Sequence, residues 1–518
     1  MAQPISASGA SLDVPNRRLI SISIMLATIM QTLDSTIANV ALPHMQGALS
    51  ASQDQITWVL TSYIVAAAIG TPMTGWLAAR FGRKQVFLVS VAGFTVASAL
   101  CGISESLVQI VAARLLQGMF GAALVPLSQA VLLDINPREK HTQAIALWGM
   151  GVTAGPILGP TIGGWLTDAY NWRWVFFINV PLGAIAFFGI MTAFRDHASR
   201  LRPRFDVFGF ATLSIAIGSL QLLVDRGQQL DWFSSLEIWI EALVFLISFA
   251  YFVAHTVTAG TFSFFNAALL KDQNFVAGII FGFILGIVLY ASRALIPPML
   301  QTLMGYPAVV TGFATAPSGI GTMLAMLLIG RLVHLVGARV LLFSGMILTA
   351  FSLWQMCQYT LVISEWDVII PGFIQGMGLG LVFVPMSTMT FSTLSPTMRA
   401  DGTSIYALSR NIGGSIGISV LQTLLYRNSQ LSTANLTTHI NAYNPLLNAA
   451  NLSGFDIHSP TGLALLGRAV DAQALMIAYV DDFRFMFLMT LLTIPFMFFL
   501  RPGHHKPTAE ESAHLMAD

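Results

Sequence analysis

Long apolar runs separated by short polar segments dominate this chain. Fourteen of the runs are long enough to cross the roughly 30 Å hydrocarbon core of a bilayer as α-helices. They are centred near residues 30, 66, 95, 121, 153, 185, 216, 247, 288, 321, 350, 380, 414 and 492. An even number of spans places both ends of the chain on one side of the membrane. The pattern therefore predicts an all-α polytopic membrane protein.

The composition agrees with this reading. Of the 518 residues, 55% are hydrophobic and 9% are charged, against about 25% charged residues in soluble proteins. A net charge of +1 provides no basic surface for nucleic acid, and no Cys or His pattern indicates a metal site. Cys101 and Cys357 lie in apolar runs and are assigned no disulfide. The first apolar run is too long for a signal peptide and is expected to remain as the first span.

The distribution of Lys and Arg predicts the orientation, because short cytoplasmic loops hold an excess of both. Seventeen of these residues fall on the side of the termini and five on the opposite side. Both termini are therefore expected in the cytoplasm. Three further arginines, Arg114, Arg293 and Arg410, fall within predicted spans.

A weak internal repeat divides the spans into two halves. Separations of 11 and 18 residues recur in Pro126, Pro137 and Gly155 and in Pro385, Pro396 and Gly414. Segment 75–84 is echoed by segment 330–339, and a Gln-Gly-Met tripeptide occurs at 117–119 and 375–377. Two related six-helix halves follow, with a site expected between them near the midplane.

The two spans left over predict an inserted pair of helices between the halves. The expected organisation is a cytoplasmic tail at 1–18, a first six-helix bundle at 19–200, two inserted helices at 201–260, a second six-helix bundle at 261–501 that includes an outward-facing loop at 427–482, and a cytoplasmic tail at 502–518.

Asp34 is the first candidate for a proton-carrying site. It lies inside the apolar run from Leu19 to Leu42, where an ionisable group is costly and usually functional. Desolvation and a nearby cation act on such a carboxyl in opposite directions, which allows it to load and release a proton. Arg114 is the expected partner. The alternative is a neutral, hydrogen-bonded structural carboxyl.

Several motifs resemble those of one family. Segment 75–84 (GWLAARFGRK) is similar to the cytoplasmic-loop signature of the major facilitator superfamily, and the glycines from Gly151 to Gly164 resemble the fifth-helix signature of its antiporters. Segment 33–43 (LDSTIANVALP) resembles the first-helix signature of the fourteen-span drug:proton antiporters. Segment 171–183 is similar to another segment of the same subfamily. Segment 225–235 is similar to the EmrB type within the EmrB/QacA group. The resemblance covers essentially the whole chain.

The resemblance implies the major facilitator fold in a bacterial inner membrane and proton-coupled export of lipophilic compounds by alternating access. It implies no cofactor, since the proton gradient drives transport, and it assigns proton coupling to Asp34 and Arg114. The expected conformational switch comprises Gly75, Arg80, Gly82 and Arg83 in the loop and Gly151, Gly155, Gly159, Pro160, Gly163 and Gly164 in the helix. The chain departs from the family at Ala79, where the loop usually has Asp.

The glycines and the basic loop residues of this expected switch could also have purely structural roles. Glycines spaced by four form a close helix–helix seam, which can be ordinary packing. The basic loop residues, including Lys84, can hold helix C-terminal carbonyls or simply follow the charge rule of cytoplasmic loops.

The substrate cavity is expected to be mostly apolar with a few polar groups. Its candidate residues are Gln31, Tyr63, Gln129, Tyr290, Arg293, Trp354 and Phe383. For the aromatic residues, core or lipid packing is the alternative. Arg293 lies mid-span without an acidic neighbour and favours weakly acidic substrates. Arg410 could serve the same purpose or extend to the inner interface.

Loop 427–482 is polar, and its second half could form an amphipathic helix. In the family, EmrB-like pumps work with a periplasmic adaptor (a membrane fusion protein) and an outer-membrane channel, so this loop is a candidate docking surface; the alternative is a solvated cap. Other functions left open are an importer and an exporter of a specific metabolite or siderophore. A membrane enzyme or receptor is disfavoured, since no nucleophile, metal or nucleotide motif occurs.

Overall fold

A computed structural model describes residues 16–51, 53–137, 140–194, 205–259, 267–395, 398–440 and 459–499. The predicted tail 502–518 and most of the tail 1–18 lie outside these ranges, as does the middle of loop 427–482. The described residues are helical throughout, apart from turns and short connections. Eleven helical segments within them are long and apolar enough to cross a membrane. The predicted spans centred near 66, 414 and 492 fall on helices that are shorter or less apolar, so the count of fourteen stays a prediction.

The first half of the described chain contains ten helices. They are α1 (Arg17–Ala48), α2 (Gln53–Ile56), α3 (Trp58–Gly70), α4 (Met73–Phe81), α5 (Arg83–Ile103), α6 (Leu107–Gly121), α7 (Leu124–Ile135), α8 (His141–Ala169), α9 (Trp174–Phe177) and α10 (Asn179–Ala193). The principal packing pairs are α1 with α8 and α10, α3 with α6, and α5 with α6 and α10. The helix α1 thus lies at the centre of this half.

Two helices connect the halves, α11 (Val207–Arg226) and α12 (Leu236–Ala259). The helix α11 packs against α3, whereas α12 packs mainly against α11. Most large apolar side chains of α12 are exposed, among them Trp239, Leu243 and Leu246. Such an apolar surface is suited to lipid contact rather than to water.

The second half contains α13 (Gln273–Pro298), α14 (Ala308–Val336), α15 (Ala338–Met356), α16 (Glu365–Phe391), α17 (Arg399–Thr438) and α18 (Pro460–Thr493). Here α13 packs on α17, α14 and α15 on α16, and α17 on α18. The inserted helix α11 also contacts α17 and therefore touches both halves.

The internal repeat of the sequence corresponds to equivalent geometry in the two halves. Gly82 joins α4 to α5 with φ 86°, and Gly337 joins α14 to α15 with φ 81°. Glycine adopts positive φ without steric cost, which explains why both loops place it there. The helix pair α1–α8 in the first half corresponds to α13–α17 in the second.

The two halves meet at the end of the bundle that carries the basic loops. We call this the basic end and define it by Arg83, Asp134 and Arg399. The helix α7 of the first half packs there against α17, and α4 packs against the first turns of α17. A hydrophobic core shared by both halves continues inward from this end.

Candidate functional site

Asp34 and Arg114 form an ion pair in the interior of the first half. The Arg114 Nη1 donates to the Asp34 Oδ2 at 2.7 Å, and both side chains are fully buried. The helix α1 supplies the carboxylate and α6 supplies the guanidinium. A buried ion pair requires further hydrogen bonds to offset the loss of water.

Two amides complete the shell of the Asp34 carboxylate. The Gln117 Nε2 donates to Oδ1 at 2.9 Å, and the Asn179 Nδ2 donates to the same oxygen at 2.7 Å. Asn179 is the first residue of α10 and also donates to the Ser98 hydroxyl at 2.9 Å. The Asp34 carboxylate therefore joins α1, α6 and α10, and Asn179 extends the connection to α5.

The Arg114 guanidinium has four further interactions, one of them with the Phe176 ring, whose centroid lies 5.7 Å from Cζ. Its Nε donates to the Val59 carbonyl at 3.0 Å, and Nη1 donates to the Gln117 Oε1 at 2.8 Å. Its Cζ lies 4.2 Å from the centroid of the Tyr63 ring, within the range of a cation–π interaction. These groups would continue to hold the cation if Asp34 became neutral.

The predicted cavity residues Gln31 and Tyr63 extend this network. The Gln31 Nε2 donates to the Tyr63 hydroxyl at 2.9 Å, so the two residues connect α1 to α3 beside Arg114. Gln31 is half-buried and Tyr63 is buried. The structure therefore brings four of the predicted residues into one polar cluster.

The second half has a neutral counterpart of this cluster. The Gln375 Nε2 donates to the Ser292 hydroxyl at 3.0 Å. Gln375 follows Gln117 by 258 positions, and Ser292 follows Asp34 by the same 258 positions. Equivalent glutamines therefore donate to different acceptors in the two halves: Gln117 to the Asp34 carboxylate and Gln375 to the Ser292 hydroxyl.

Phe383 lies at the contact between the halves. Its ring stacks on Trp148 of α8 with centroids 5.9 Å apart, and the Trp148 indole donates to the Ser128 hydroxyl at 2.7 Å. The Arg410 Cζ lies 5.5 Å from the Phe383 centroid. Neighbouring Gln129 is buried, and its Nε2 has no hydrogen-bond partner among the described residues.

Tyr290 and Arg293 lie on α13, where Tyr290 packs against α17. The Tyr290 ring is the closest neighbour of Gly414, and Arg293 is half-buried one turn further along α13. Neither Arg293 nor Arg410 forms an ion pair with a carboxylate in the described part of the chain. Arg410 is 5% exposed, which leaves a buried cation without a counter-charge.

Trp354 requires a correction. It is 48% exposed and belongs to a stripe of exposed apolar residues on α15 that includes Phe343, Ile347 and Phe351. Its ring stacks on Phe351 with centroids 5.8 Å apart. A stripe at helical spacing is typical of a surface that faces lipid. Trp354 therefore lies on the outside of the bundle and not in a cavity.

The glycine seam of α8 lies against α1. A Cβ atom at Gly155 would approach the Leu33 backbone nitrogen to 2.6 Å, and one at Gly163 would approach the Ile37 Cγ1 to 2.7 Å. Gly159 faces Thr36 in the same way, whereas Gly151 and Gly164 have more space, with nearest atoms at 3.5 and 3.9 Å. Pro160 lies within α8.

The basic end is held by charged groups from both halves. Asp134 of α7 pairs with Arg83 of the loop and, at 2.9 Å, with Arg399 of α17. Gly75 faces the Asp401 side chain of α17 so closely that any Cβ would displace it. The carboxylate at this contact is thus supplied by α17, while the loop itself has Ala79.

The predicted loop cations differ in what they contact. The Lys84 Nζ donates to the Met191 carbonyl near the C-terminus of α10 at 2.8 Å, as expected for a cation at a helix end. Arg83 pairs with the Asp134 carboxylate in the last turn of α7. Arg80 is exposed.

Comparison with known proteins decides the family. Residues 24–418 match the profile of the Major Facilitator Superfamily. The chain belongs to the major facilitator superfamily. Its members are transporters, and the many apolar helices agree with a multi-pass membrane protein.

This transporter is similar over nearly its full length to curated exporters. It is 36% identical to the multidrug export protein EmrB of Escherichia coli over 97% of this chain and 98% of that protein. It is 34% identical to the fatty acid resistance protein FarB of Neisseria gonorrhoeae over 94% and 96%. The crystal structure of the human organic anion transporter MFSD10 has the same fold, with a TM-score of 0.59, 13% identity and coverage of 92% and 100%.

Sequence reasoning missed several members of the transporter's polar cluster. Gln117, Asn179 and Ser98 contact Asp34 or one another, yet an amide or hydroxyl in an apolar run carries little signal alone. Two hints were available. Gln117 begins a repeated tripeptide, and Asn179 lies within one of the family-like segments.

Proposed function

We propose that this transporter exports lipophilic small molecules in exchange for protons, with weakly acidic compounds among its substrates. The export role is supported by its similarity to EmrB, a multidrug export protein, and to FarB, a fatty acid resistance protein. The ion pair between Asp34 and Arg114 carries the proposal of proton coupling. No cofactor is required, because the proton gradient supplies the energy.

The coupling step follows from the shell of Asp34. As a carboxylate it accepts hydrogen bonds from Arg114, Gln117 and Asn179, which stabilise the charged form. A proton on Asp34 removes the charge attraction to Arg114, while Val59 and Tyr63 still hold the guanidinium. Protonation therefore loosens the connection between α1 and α6 without expelling the arginine.

The location of Asp34 along α1 indicates which side delivers the proton. It lies 17 residues after Arg17, about 25 Å along a helix that rises 1.5 Å per residue. With the basic end in the cytoplasm of a bacterial inner membrane, Asp34 lies nearer the outer face. Protons entering from outside would neutralise Asp34 and favour return to the inward-open form, in which substrate binding releases them.

The observed arrangement is expected of a form closed toward the cytoplasm. Arg399 of the second half pairs with Asp134 of the first at the basic end, and Phe383 of α16 stacks on Trp148 of α8. Opening this end would require both contacts to separate. The seam at Gly155 would then let α8 move along α1 during the change.

The preference for acidic substrates rests on Arg293 and Arg410. Arg410 is a buried guanidinium without a counter-charge, which is costly, and Arg293 is half-buried. An anionic ligand would supply the counter-charge through charge-assisted hydrogen bonds. Gln129 could add a donor through its free Nε2. The apolar surroundings of Phe383 and Tyr290 would hold the lipophilic part of the ligand.

A periplasmic adaptor remains the proposed partner of segment 427–482. The helix α17 has 40 residues, so it is about 60 Å long and exceeds the roughly 30 Å of hydrocarbon. The helix α18 begins at Pro460 and extends beside it. Exposed apolar residues on these extensions, such as Leu431 and Leu463, would provide contact surface for the adaptor.

Transport by purified protein in proteoliposomes tests the proposal, with dodecanoic acid as the probe. An imposed pH gradient should drive its uptake into inverted vesicles, and Asp34→Asn should abolish the gradient-driven part. Glu105→Gln alters an exposed carboxylate and should behave as the wild type. Undiminished gradient-driven transport by the Asn variant would remove Asp34 from the mechanism.

A further inference from the structure

Asp482 is a second buried carboxyl group, in the second half of the transporter. It lies in α18 with 0% exposure, and neither of its oxygens has a hydrogen-bond partner among the described residues. Its neighbour Asp481 points the other way and pairs with Arg484 at 3.1 Å on the surface. Two adjacent acidic residues thus occupy opposite environments.

The surroundings of Asp482 are apolar. Tyr479, Phe483 and Met486 of the same helix are almost fully buried in the cluster formed with α13 and α15. The ring of Tyr359 packs edge-on against Phe483 with centroids 5.7 Å apart, and its buried hydroxyl also lacks a partner. A fully buried carboxyl with neither oxygen partnered among the described residues is not explained by packing alone.

The position of Asp482 relates it to the repeat. One turn along α18, the Met486 sulfur accepts from the Ser292 hydroxyl at 3.7 Å, and Ser292 is the counterpart of Asp34. The first half thus has a carboxylate with three donors on its first helix. In the second half, Ser292 on α13 has a hydroxyl at the equivalent position. The carboxyl group without donors is that of Asp482 on α18, one turn from Met486.

The charge state of Asp482 follows from these contacts. A carboxylate buried without a cation or donors is strongly unfavourable, whereas the neutral acid leaves only one hydroxyl and a carbonyl oxygen unpaired. Asp481 adds a negative charge next to it, which opposes ionisation further. The helices packed against α18 also carry titratable groups, including Tyr290 and Arg293 on α13 and Arg410, Tyr426 and Arg427 on α17, and Cys357 and Tyr359 follow α15. None of them forms a hydrogen bond with Asp482 in the described part of the chain, and Arg484 pairs with Asp481.

We propose that Asp482 is a second proton-binding site, which takes up a proton from water on the outer side, holds it in the arrangement described here and releases it to water on the inner side after the basic end opens. The carboxylate left behind binds the next proton when the second half is again open to the outer side. This site would add to the protons exchanged at Asp34. The inference extends the proposed proton-driven export, but proton binding at Asp482 does not depend on it.

Infrared difference spectroscopy of the purified protein tests proton binding directly. We expect the carbonyl stretch of a protonated carboxylic acid in the wild type, its loss in Asp482→Asn, and its retention in Asp481→Asn. Asp482→Glu should retain a shifted band. Because Asn resembles the neutral acid, Asp482→Asn should melt no lower than the wild type. An unchanged band in Asp482→Asn would overturn the proposal.

Transport stoichiometry provides the second readout, with dodecanoic acid as the probe. Asp482→Asn should still transport, but with about one proton fewer per turnover, because one carboxyl carries one proton. The wild-type stoichiometry in this variant would contradict the proposed role in coupling. If Asp34→Asn also supported gradient-driven transport, the proposed function would fail while the infrared result for Asp482 would still stand.

Discussion

Arg399 of the second half reaches across to Asp134 of the first, with its Nη1 2.9 Å from the carboxylate Oδ1. Asp134 is also the partner of Arg83. One carboxylate therefore connects the loop between α4 and α5, the end of α7 and the start of α17. Its contact with Arg399 can form only when the halves are close at the basic end.

Arg399→Ala should weaken closure of the basic end. The contact is partly buried and charged, so its loss should cost about 1 to 2 kcal/mol, roughly a 5- to 30-fold shift toward the open form. Spin labels at Lys140 and Leu335, both exposed, would report the distance between halves after Cys101 and Cys357 are replaced by Ser. Arg484→Ala, which removes an ion pair within α18, should leave the distances unchanged. Equal distance distributions in all three proteins would show that Arg399 does not hold this end.

Gly155→Ala should impair transport more than Gly164→Ala. The first Cβ would lie 2.6 Å from the Leu33 backbone nitrogen, whereas the second would be 3.9 Å from the nearest atom. Overpacking of a close contact costs about 1 to 3 kcal/mol, and Gly155→Leu should stop turnover altogether. Uptake rates at matched protein levels in proteoliposomes measure the effect. Similar rates for the two alanine variants would make the seam ordinary packing.

Arg293→Ala should weaken the handling of acidic lipophiles. A guanidinium–carboxylate contact in a dry site contributes about 1.5 to 3 kcal/mol, or roughly ten- to a hundredfold in affinity. Dodecanoic acid should therefore lose far more affinity than the lipophilic cation tetraphenylphosphonium, while Arg293→Lys should retain part of it. Arg331→Ala, at an exposed arginine, serves as the control. Equal losses for acid and cation would assign Arg293 a structural role.

Closure of the basic end should depend on pH through Asp401. This residue lies in the first turn of α17, ahead of its apolar part, and burial raises its pKa to about 6 against a smaller lowering by Arg83. In an open, hydrated basic end the pKa would return toward about 3.9. The closed form therefore binds this proton more tightly, so its stability is greatest below about pH 4 and declines as the pH rises to about 6.

The distance between Lys140 and Leu335 labels at about pH 5 and pH 7.5 measures this dependence. The closed population should fall at the higher pH in the wild type and stay high at both pH values in Asp401→Asn. Asp481→Asn should keep the wild-type dependence. A pH response that survives in Asp401→Asn would place the titrating group elsewhere.

The sequence by itself determined the class of protein and its most important ionisable pair. The spacing of apolar runs indicates membrane helices because only a helix satisfies its backbone polar groups in lipid. Asp34 and Arg114 stand out because charges are rare in such runs. The recurring separations around Pro126 and Pro385 likewise indicated two halves before any contact was known.

Only the tertiary structure decided which residues surround that pair and which face lipid. Gln117 and Asn179 lie 83 and 145 positions from Asp34, and only helix packing brings their amides to its carboxylate. Trp354 was placed in the cavity from its type, yet α15 turns it outward. Asp481 and Asp482 are adjacent in the sequence, yet only the structure shows that Asp482 is buried and that Asp481 lies at the surface. In an all-helical membrane protein both the interior and the lipid surface are apolar, so hydrophobicity does not reveal which way a side chain faces.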